Sequence, residues 1–421
     1  MRTKINKKTK CLLLFSSLCL ILLAFKSNFP KQQFPDNNYK LISITDNNTY
    51  DLSYLDTILK EKQVVMLGES AHGIEEYSLV KYRIIKHLHE KLNFNIIAFE
   101  SGISECAFLD EMKDSLNSKE LLEKGIVQVW QTESNIKLMN YIKENNIKIV
   151  GIDNQISTKY NSEYLKTAIN KYDKIAAEKI YCLDTTINAL YFNKELFKDE
   201  PNETKSKFQK NKSELVKIYS EFNSKIDSLL RQKNYSNSQS SLLTLKKVIQ
   251  NKIYLSQTYL NINKYGTQRD SIMTSNLKWI MDSLAPNKKI IVWAHNSHVS
   301  RTGMQNEKSY MGKLISNLLK NQVYSIGLYA YAGETMDVWR RNKIKITKPS
   351  TNSIENKLHI NDSESKATFI NFSKIIDKNN LWTTEKIKAF SWGVRETFIV
   401  PSDEYDGAIL INVATTPKYI N

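Results

Sequence analysis

Short apolar runs punctuate the chain and predict buried strands. Four of them are four residues long: VVML at Val64 to Leu67, IIAF at Ile96 to Phe99, IKIV at Ile147 to Val150 and IIVW at Ile290 to Trp293. Such short and mainly apolar runs are expected where a parallel sheet is covered on both faces. Two later runs, YSIGLYAYAG and GAILINV, predict further strands, the second at Gly407 to Val413.

Helical periodicity fills the intervals between these runs. Residues 75–92 place apolar side chains at helical spacing, so this helix and the strands beside it form a βαβ pattern. Between about residues 157 and 285 the sequence is polar and helical without obvious strands. The pattern therefore predicts an α/β fold in which helices flank a mostly parallel sheet, with a large all-helical insertion.

The N-terminus has the pattern of an export signal. The basic stretch MRTKINKKTK precedes the mainly apolar residues Cys11 to Phe25, and no A-x-A cleavage site follows before Lys26. A cleaved signal peptide and an uncleaved membrane anchor both remain open. We expect an extracytoplasmic protein, in the periplasm or cell envelope, whose only membrane contact is this N-terminal segment.

These patterns divide the chain into five predicted parts. They are a signal peptide or anchor at 1–26, a linker at 27–50, a first part of the catalytic α/β domain at 51–156, the helical insertion at 157–285 and a second part of the catalytic domain at 286–421.

Composition and charge narrow the classes of function. The chain has 421 residues, of which 41% are hydrophobic and 25% charged, as in ordinary globular proteins. The net charge of +16 suggests nucleic-acid binding, but the lysines are interleaved with acidic residues rather than clustered, so we expect no nucleic-acid partner. Beyond the N-terminal segment only Cys106 and Cys182 remain, which leaves one disulfide or two free thiols open.

Side chains suited to catalysis follow the predicted strands. VVML leads to Glu69 and His72, IIAF to Glu100, IKIV to Asp153, and IIVW to His295 and His298. Ligands of parallel α/β sheets bind beyond the carboxyl ends of the strands, and three of the six histidines lie there. We predict a catalytic site of Glu69, His72, Glu100, His295 and His298, and expect His87, His89 and His359 to be ordinary solvated residues.

Three chemistries fit this set of residues. Histidine-activated water needs only an imidazole and a carboxylate that orients it, with no cofactor. A serine nucleophile is disfavoured because Ser70, Ser101 and Ser297 are not in a G-x-S-x-G turn. A zinc site is disfavoured because no H-E-x-x-H helix is present, although spacing does not exclude a metal.

Several spaced motifs resemble those of the erythromycin esterase family. In order they are GESAHGIEEY, NFNIIAFESG, IVGIDNQ, QRDSIMTSNL, and IIVWAHNSHVSR with MGKLI following, and the likeness extends from about Leu52 to Val413. The resemblance implies hydrolysis of the lactone ester of a macrolide antibiotic, which inactivates the drug, without a covalent intermediate or metal. It also implies an α/β sheet carrying a helical insertion.

The resemblance assigns roles to positions of this sequence. The family's catalytic histidine falls on His72, its glutamates on Glu69 and Glu100, its histidine pair on His295 and His298, and its basic residue on Lys81, where some members have Arg. We expect His72 to activate water and Glu69 or Glu100 to orient the His72 imidazole. The histidine pair is expected to stabilise the oxyanion or protonate the leaving group.

Other motif residues are expected to support the site. Four residues are expected to bind substrate or to brace the site as a second layer or a buried ion pair: Lys81, Asp153, Arg269 and Asp270. The expected partner is a small-molecule ester or lactone. An envelope hydrolase of another ester or amide, or a metal-dependent variant of the same site, remains the alternative.

Overall fold

A nine-stranded sheet lies at the centre of the computed structural model. The model describes residues 39–192, 203–232, 239–258, 262–302, 310–338, 340–359, 366–372 and 378–420, which belong to a compact unit starting at Asn38. The predicted signal or anchor at 1–26 and the first part of the linker lie outside the described residues. Among those that are described, no helix is long and apolar enough to cross a bilayer.

The sheet is parallel at its core and antiparallel at one side. Its spatial order is β1-β8-β11-β6-β2-β5-β3-β4, with β7 paired to β6. The six strands from β11 to β4 run parallel, whereas β1, β7 and β8 are antiparallel to their neighbours. A separate hairpin is formed by β9 and β10. The strands are β1 (Tyr39–Ile42), β2 (Val64–Leu67), β3 (Phe94–Gly102), β4 (Lys148–Asp153), β5 (Lys289–Trp293), β6 (Val323–Met336), β7 (Lys343–Lys345), β8 (Ala367–Asn371), β9 (Ile387–Ser391), β10 (Arg395–Ile399) and β11 (Gly407–Ala414).

Helices cover both faces of the sheet, so the predicted α/β fold with a mainly parallel sheet is confirmed. They are α1 (Tyr54–Leu59), α2 (Glu75–Leu92), α3 (Ile103–Met112), α4 (Ser118–Gly125), α5 (Glu133–Glu144), α6 (Asn161–Asn170), α7 (Lys174–Phe192), α8 (Glu203–Leu230), α9 (Gln239–Thr258), α10 (Ile262–Trp279), α11 (Asn296–Val299), α12 (Met311–Leu319), α13 (Ile354–Leu358) and α14 (Pro401–Glu404). Short 3-10 turns lie at Tyr50–Leu52, Gln128–Trp130, Lys320–Gln322 and Lys378–Thr383, and a π-helical turn at Ile280–Leu284 ends α10.

Burial on both faces explains the continuous apolar strands. Successive side chains of a strand point to opposite faces, so Val65 and Leu67 join the core beneath α2 and α5, whereas Val64 and Met66 join the core on the other face. Both sets are fully buried. A polar residue at any of these positions would lose its hydration, which is why VVML contains none.

Helices α6 to α10 lie between β4 and β5, and α6 to α9 share a core to which Ile103 and Ala107 of α3 also contribute. A buried ion pair lies inside this layer: Lys252 Nζ is 3.0 Å from Asp184 Oδ1, and both side chains are nearly inaccessible. Tyr219 donates a hydrogen bond of 2.7 Å to Asp184 Oδ1, and Ser162 donates one of 2.7 Å to Oδ2. The Asp184 carboxylate thus links its own helix, α7, to α6, α8 and α9.

The predicted linker is wrong for residues 39–50. Tyr39–Ile42 is a strand that pairs with β8, and the polar loop after it is held by Arg83 of α2. The Arg83 guanidinium donates to the carbonyls of Ser43, Asp46 and Asn48 and forms an ion pair with Asp51. Sequence reading missed this order because the loop is fixed by a distant arginine rather than by its own hydrophobic pattern.

His87 is also not the solvated residue that we expected. Its side chain is 1% exposed, its Nε2 lies 2.8 Å from Asp56 Oδ1, and its Nδ1 lies 3.1 Å from Thr49 Oγ1. Burial follows from the same ordered loop, which covers the face of α2 that His87 occupies. His89 contacts Tyr141, and His359 stacks on Tyr331.

Candidate active site

The strand order places the predicted residues along one edge of the sheet. Strands β2, β5, β3 and β4 are neighbours in this order, and their carboxyl ends carry Glu69, His295, Glu100 and Asp153. The backbone N–H of His295 donates to Glu100 Oε2 over 2.8 Å. The side chains that follow separate strands in the sequence are therefore neighbours in the structure.

Glu69 and His72 form a hydrogen-bonded pair on the turn after β2. His72 Nδ1 lies 2.7 Å from Glu69 Oε1. A glycine follows the histidine because a side chain at Gly73 would overlap the backbone of Met336 on β6. The Gly73 carbonyl accepts the Met336 N–H at 2.9 Å, which anchors the turn.

Two further groups bind the Glu69 carboxylate. Lys81 of α2 contacts Oε2 at 2.6 Å, and the Trp130 indole N–H donates to Oε1 over 2.6 Å. Burial alone would raise the pKa of Glu69, but the Lys81 ammonium and the His72 hydrogen bond outweigh it and lower the pKa to about 2. Burial lowers the pKa of Lys81, and Glu69 opposes that shift. Glu69 is thus a carboxylate at neutral pH.

His72 is packed by rings but keeps one nitrogen available. Its ring centroid lies 5.4 Å from that of Trp130, 5.2 Å from His295 and 5.1 Å from Trp392. The carboxylate of Glu69 accepts a hydrogen bond from Nδ1–H, which leaves the lone pair on Nε2. No other described residue forms a hydrogen bond with that nitrogen.

His295 is held as a neutral imidazole. Its Nε2 lies 3.2 Å from the Ser70 carbonyl, which can only accept, so Nε2 carries the proton and Nδ1 accepts from the Ser297 N–H at 3.2 Å. Burial, together with the neighbouring His72, lowers the pKa of His295 to about 3. Both ring nitrogens are engaged, so His295 is a poor candidate for a base or an oxyanion donor.

His298 has the opposite character although it also follows β5. Its Nδ1 lies 2.8 Å from Asp270 Oδ1 and its Nε2 lies 3.2 Å from Glu100 Oε1. Burial would lower the pKa of His298, but the two carboxylates raise it to about 10 against opposition from Arg269, whose Nη1 is 3.1 Å from Nε2. The side chain is therefore an imidazolium at neutral pH.

Arg269 of α10 ties this cluster together. Its guanidinium forms ion pairs of 2.5 Å with Asp153 and 2.7 Å with Glu100. Burial acts to raise the pKa of Glu100, but His298 and Arg269 hold it well below its usual range. Asp153, Arg269 and Asp270 thus contact Glu100 and His298 through charged hydrogen bonds, directly or through one another.

The raised pKa of His298 predicts an alkaline loss of stability. A folded-state value of about 10 against an ordinary value of 6.5 means that its contribution is complete below about pH 6.5 and is lost as the pH rises towards 10. We expect the free energy of unfolding of the wild type to fall more steeply between about pH 7 and about pH 9.5 than that of His298→Gln. Urea titrations at both pH values measure this. Equal falls in the two proteins would contradict the assignment, and His359→Gln serves as the control.

The candidate serine nucleophiles are placed differently from a serine–histidine pair with a competent base. The hydroxyl of Ser70 lies 2.8 Å from Tyr77 Oη, and that of Ser101 accepts the Val127 N–H at 2.9 Å. Of these three hydroxyls, only that of Ser297 contacts a histidine among the described residues: it lies 2.9 Å from His295 Nδ1, and the pKa of that imidazole is lowered to about 3. Among the described residues, no three His, Cys, Asp or Glu side chains are grouped so that they could hold a metal ion.

Two tryptophans beside these residues were not predicted from the sequence. Trp130, which donates to Glu69, is the last residue of a 3-10 turn between α4 and α5, and Trp392 occupies the turn between β9 and β10. Neither follows a parallel strand of the central sheet, which was the signal used to find the other residues. The dipeptide Trp392-Gly393 between two short apolar stretches is the one hint that the sequence offers.

The arrangement can be compared with known proteins. A family model described as erythromycin esterase matches residues 89–414. A Bacillus subtilis protein named "Putative hydrolase YbfO" is 29% identical over 87% of this chain and 86% of its own length. Two Escherichia coli proteins are also similar: erythromycin esterase type II, 23% identical over 74% of this chain and 81% of its own, and type I, 24% identical over 64% and 68%.

Solved structures share the fold. A Bacillus cereus protein has a TM-score of 0.71 with 18% identity and covers 91% of this chain and 97% of its own. A mutant erythromycin esterase in its open conformation has a TM-score of 0.62 with 16% identity, over 91% of this chain and 100% of its own. At these identities the likeness concerns the architecture of sheet and helices.

Proposed function

The chain belongs to the erythromycin esterase family and is a hydrolase, and on this premise we propose that it cleaves carboxylic esters with a water molecule that His72 activates. The observation that carries the proposal is the state of His72. Glu69 fixes the proton on Nδ1 through a contact of 2.7 Å, and Nε2 has no hydrogen-bond partner among the described residues. That is the geometry of a general base held by a carboxylate.

The reaction follows from these contacts. His72 Nε2 takes a proton from water, whose oxygen forms a bond with the ester carbonyl carbon. The imidazolium that forms lies against the Glu69 carboxylate, which Lys81 and Trp130 keep in place. When the ester C–O bond breaks, the same imidazolium returns its proton to the leaving alkoxide, so His72 ends the cycle as a neutral base.

In this proposal His295, His298 and Glu100 act through their charge and position. They do not donate hydrogen bonds or protons to the reacting ester. Both ring nitrogens of His295 and of His298 are engaged, so the proposal differs from the expectation that this pair donates to the oxyanion or the leaving group. Glu100 accepts the His295 N–H and thereby fixes the start of α11 beside Glu69. Glu100 therefore positions this turn and adds its negative charge to the site.

We extend the proposal to the lactone of a macrolide antibiotic such as erythromycin, with inactivation of the drug as the result. Two relatives are named erythromycin esterases. The described site also has an excess of negative charge, since the four carboxylates face three cations, and a cationic amino sugar complements such a site. The carboxylates are Glu69, Glu100, Asp153 and Asp270, and the cations are Lys81, Arg269 and His298.

A second candidate is hydrolysis of another ester or amide in the cell envelope. The Bacillus subtilis hydrolase is more similar to this chain, at 29% identity, than either erythromycin esterase, at 23% and 24%. Both proposals include export through residues 1–26 and a reaction without a cofactor. In both, the partner is a small-molecule substrate and not a nucleic acid. A panel of esters and amides separates the two candidates.

The chemistry is tested by measuring the loss of erythromycin with the wild type, with and without a chelator, and with Ser297→Ala. We expect hydrolysis to survive the chelator, and Ser297→Ala to retain activity within about threefold because its histidine is a poor base. Mass spectrometry of the drug measures both. Activity lost to chelator would favour the metal-dependent variant, and activity lost in Ser297→Ala would favour a serine nucleophile.

A further inference from the structure

The turn between β9 and β10 places Trp392 beside His72 and His295. Its backbone N–H donates to the Ser70 carbonyl over 2.7 Å, on the turn that also carries Glu69 and His72. The indole stacks on His295 with centroids 4.8 Å apart and planes at 22°, and meets His72 edge-on at 78°. The side chain is still 39% exposed. It is therefore packed against the site on one side and open to solvent elsewhere.

The backbone of this turn is unusual for a tryptophan. Trp392 has φ of +59° and Gly393 has φ of +71°. Turns with two such residues normally use Gly, Asn or Asp, because a bulky side chain at positive φ is strained. Strain of about 1–3 kcal/mol persists only where the surroundings enforce it, and such positions cluster at functional sites. An indole at this position is thus a costly choice for a simple turn.

The Trp392 indole lies within the distance that the reacting ester would span from His72. A water on His72 Nε2 lies about 3 Å from that nitrogen, and the carbonyl carbon that it attacks lies about 3 Å further on. The Trp392 ring centroid is only 5.1 Å from the imidazole centroid. Groups that flank the reacting carbonyl are therefore within reach of the exposed indole.

We propose that the exposed part of the Trp392 indole is a substrate-binding platform that stacks on a ring in the acyl or the alcohol portion of the ester. The ligand class is an ester that carries an alicyclic, lactone or sugar ring next to the carbonyl. The neutral His295 ring supports the platform from beneath, and the Ser70 contact fixes its position relative to His72. The inference rests on the proposed ester hydrolysis and adds what the site selects.

Three small esters test the platform by proton release in a pH-stat. Ethyl acetate has no ring, ethyl cyclohexanecarboxylate has a ring in the acyl portion, and cyclohexyl acetate has one in the alcohol portion. In Trp392→Ala we expect KM for at least one ring ester to rise about tenfold, the size of one lost aromatic contact, while KM for ethyl acetate is unchanged. Trp392→Phe should recover most of the affinity. Val394→Ala, a half-exposed residue of the same turn, is the control.

Thermal unfolding separates this role from a structural one. Glycine relieves the strain at positive φ whereas alanine does not, so Trp392→Gly should melt no lower than Trp392→Ala yet show the same rise in KM. An equal change of KM for all three esters, or none in Trp392→Ala, would overturn the platform alone. A wild type that hydrolyses none of the three esters and leaves erythromycin intact would overturn the proposed function and the platform with it.

Discussion

Replacement of His72 by alanine is expected to lower kcat for ester hydrolysis by roughly 10²–10⁴-fold, the contribution of a positioned general base. KM should change little, because the base acts on water rather than on the ester. Steady-state kinetics of the purified variant measure both constants. Circular dichroism should show an unchanged fold, since the His72 side chain lies at the open end of the sheet.

A matched histidine distinguishes loss of the base from loss of any histidine. His359 stacks on Tyr331 and contacts Asn412, and neither of these residues binds Glu69. His359→Ala should retain the wild-type kcat. If His72→Ala hydrolyses the same ester within a few-fold of the wild type, the assignment of the base is wrong.

Replacement of Lys252 by methionine is expected to lower the free energy of unfolding by about 3–5 kcal/mol. The substitution leaves the Asp184 carboxylate buried without its ammonium partner, and Asp184 is 2% exposed. The double variant Asp184→Asn with Lys252→Met removes both charges and should recover most of the loss. Urea unfolding followed by circular dichroism measures each step of this cycle.

An exposed ion pair is the control for that cycle. Lys278 and Asp282 are both about half exposed, so Lys278→Met should change stability by no more than about 0.5 kcal/mol. Equal effects of Lys252→Met and Lys278→Met would contradict the view that the buried pair organises the helical layer.

The elements that the sequence predicted best are those with continuous hydrophobic patterns. Residues Val64–Leu67 form β2 and Glu75–Leu92 form α2 with the expected bounds. These segments are buried on a regular period, so their own side chains report their structure. The antiparallel strands β1, β8, β9 and β10 were missed because their residues mix polar and apolar types and depend on distant partners for pairing.

The sequence predicted where in the fold the candidate site lies, but it did not predict the charge or the role of each histidine. Strand ends located Glu69, His72, Glu100, His295 and His298, because parallel strands bring their carboxyl ends together. The sequence could not distinguish His295, with its pKa lowered to about 3, from His298, with its pKa raised to about 10. Asp270 is a neighbour of His298 only in the folded chain, and it helps to decide the charge.

The measurement that tests the central claim most directly is the mass of erythromycin after incubation with the full chain in water enriched in heavy oxygen. Hydrolysis by activated water predicts a product heavier by one labelled water, with the label in the new carboxylate, and formation of that product roughly 10²–10⁴-fold more slowly with His72→Ala. Intact erythromycin, or a product without the label, would contradict the account.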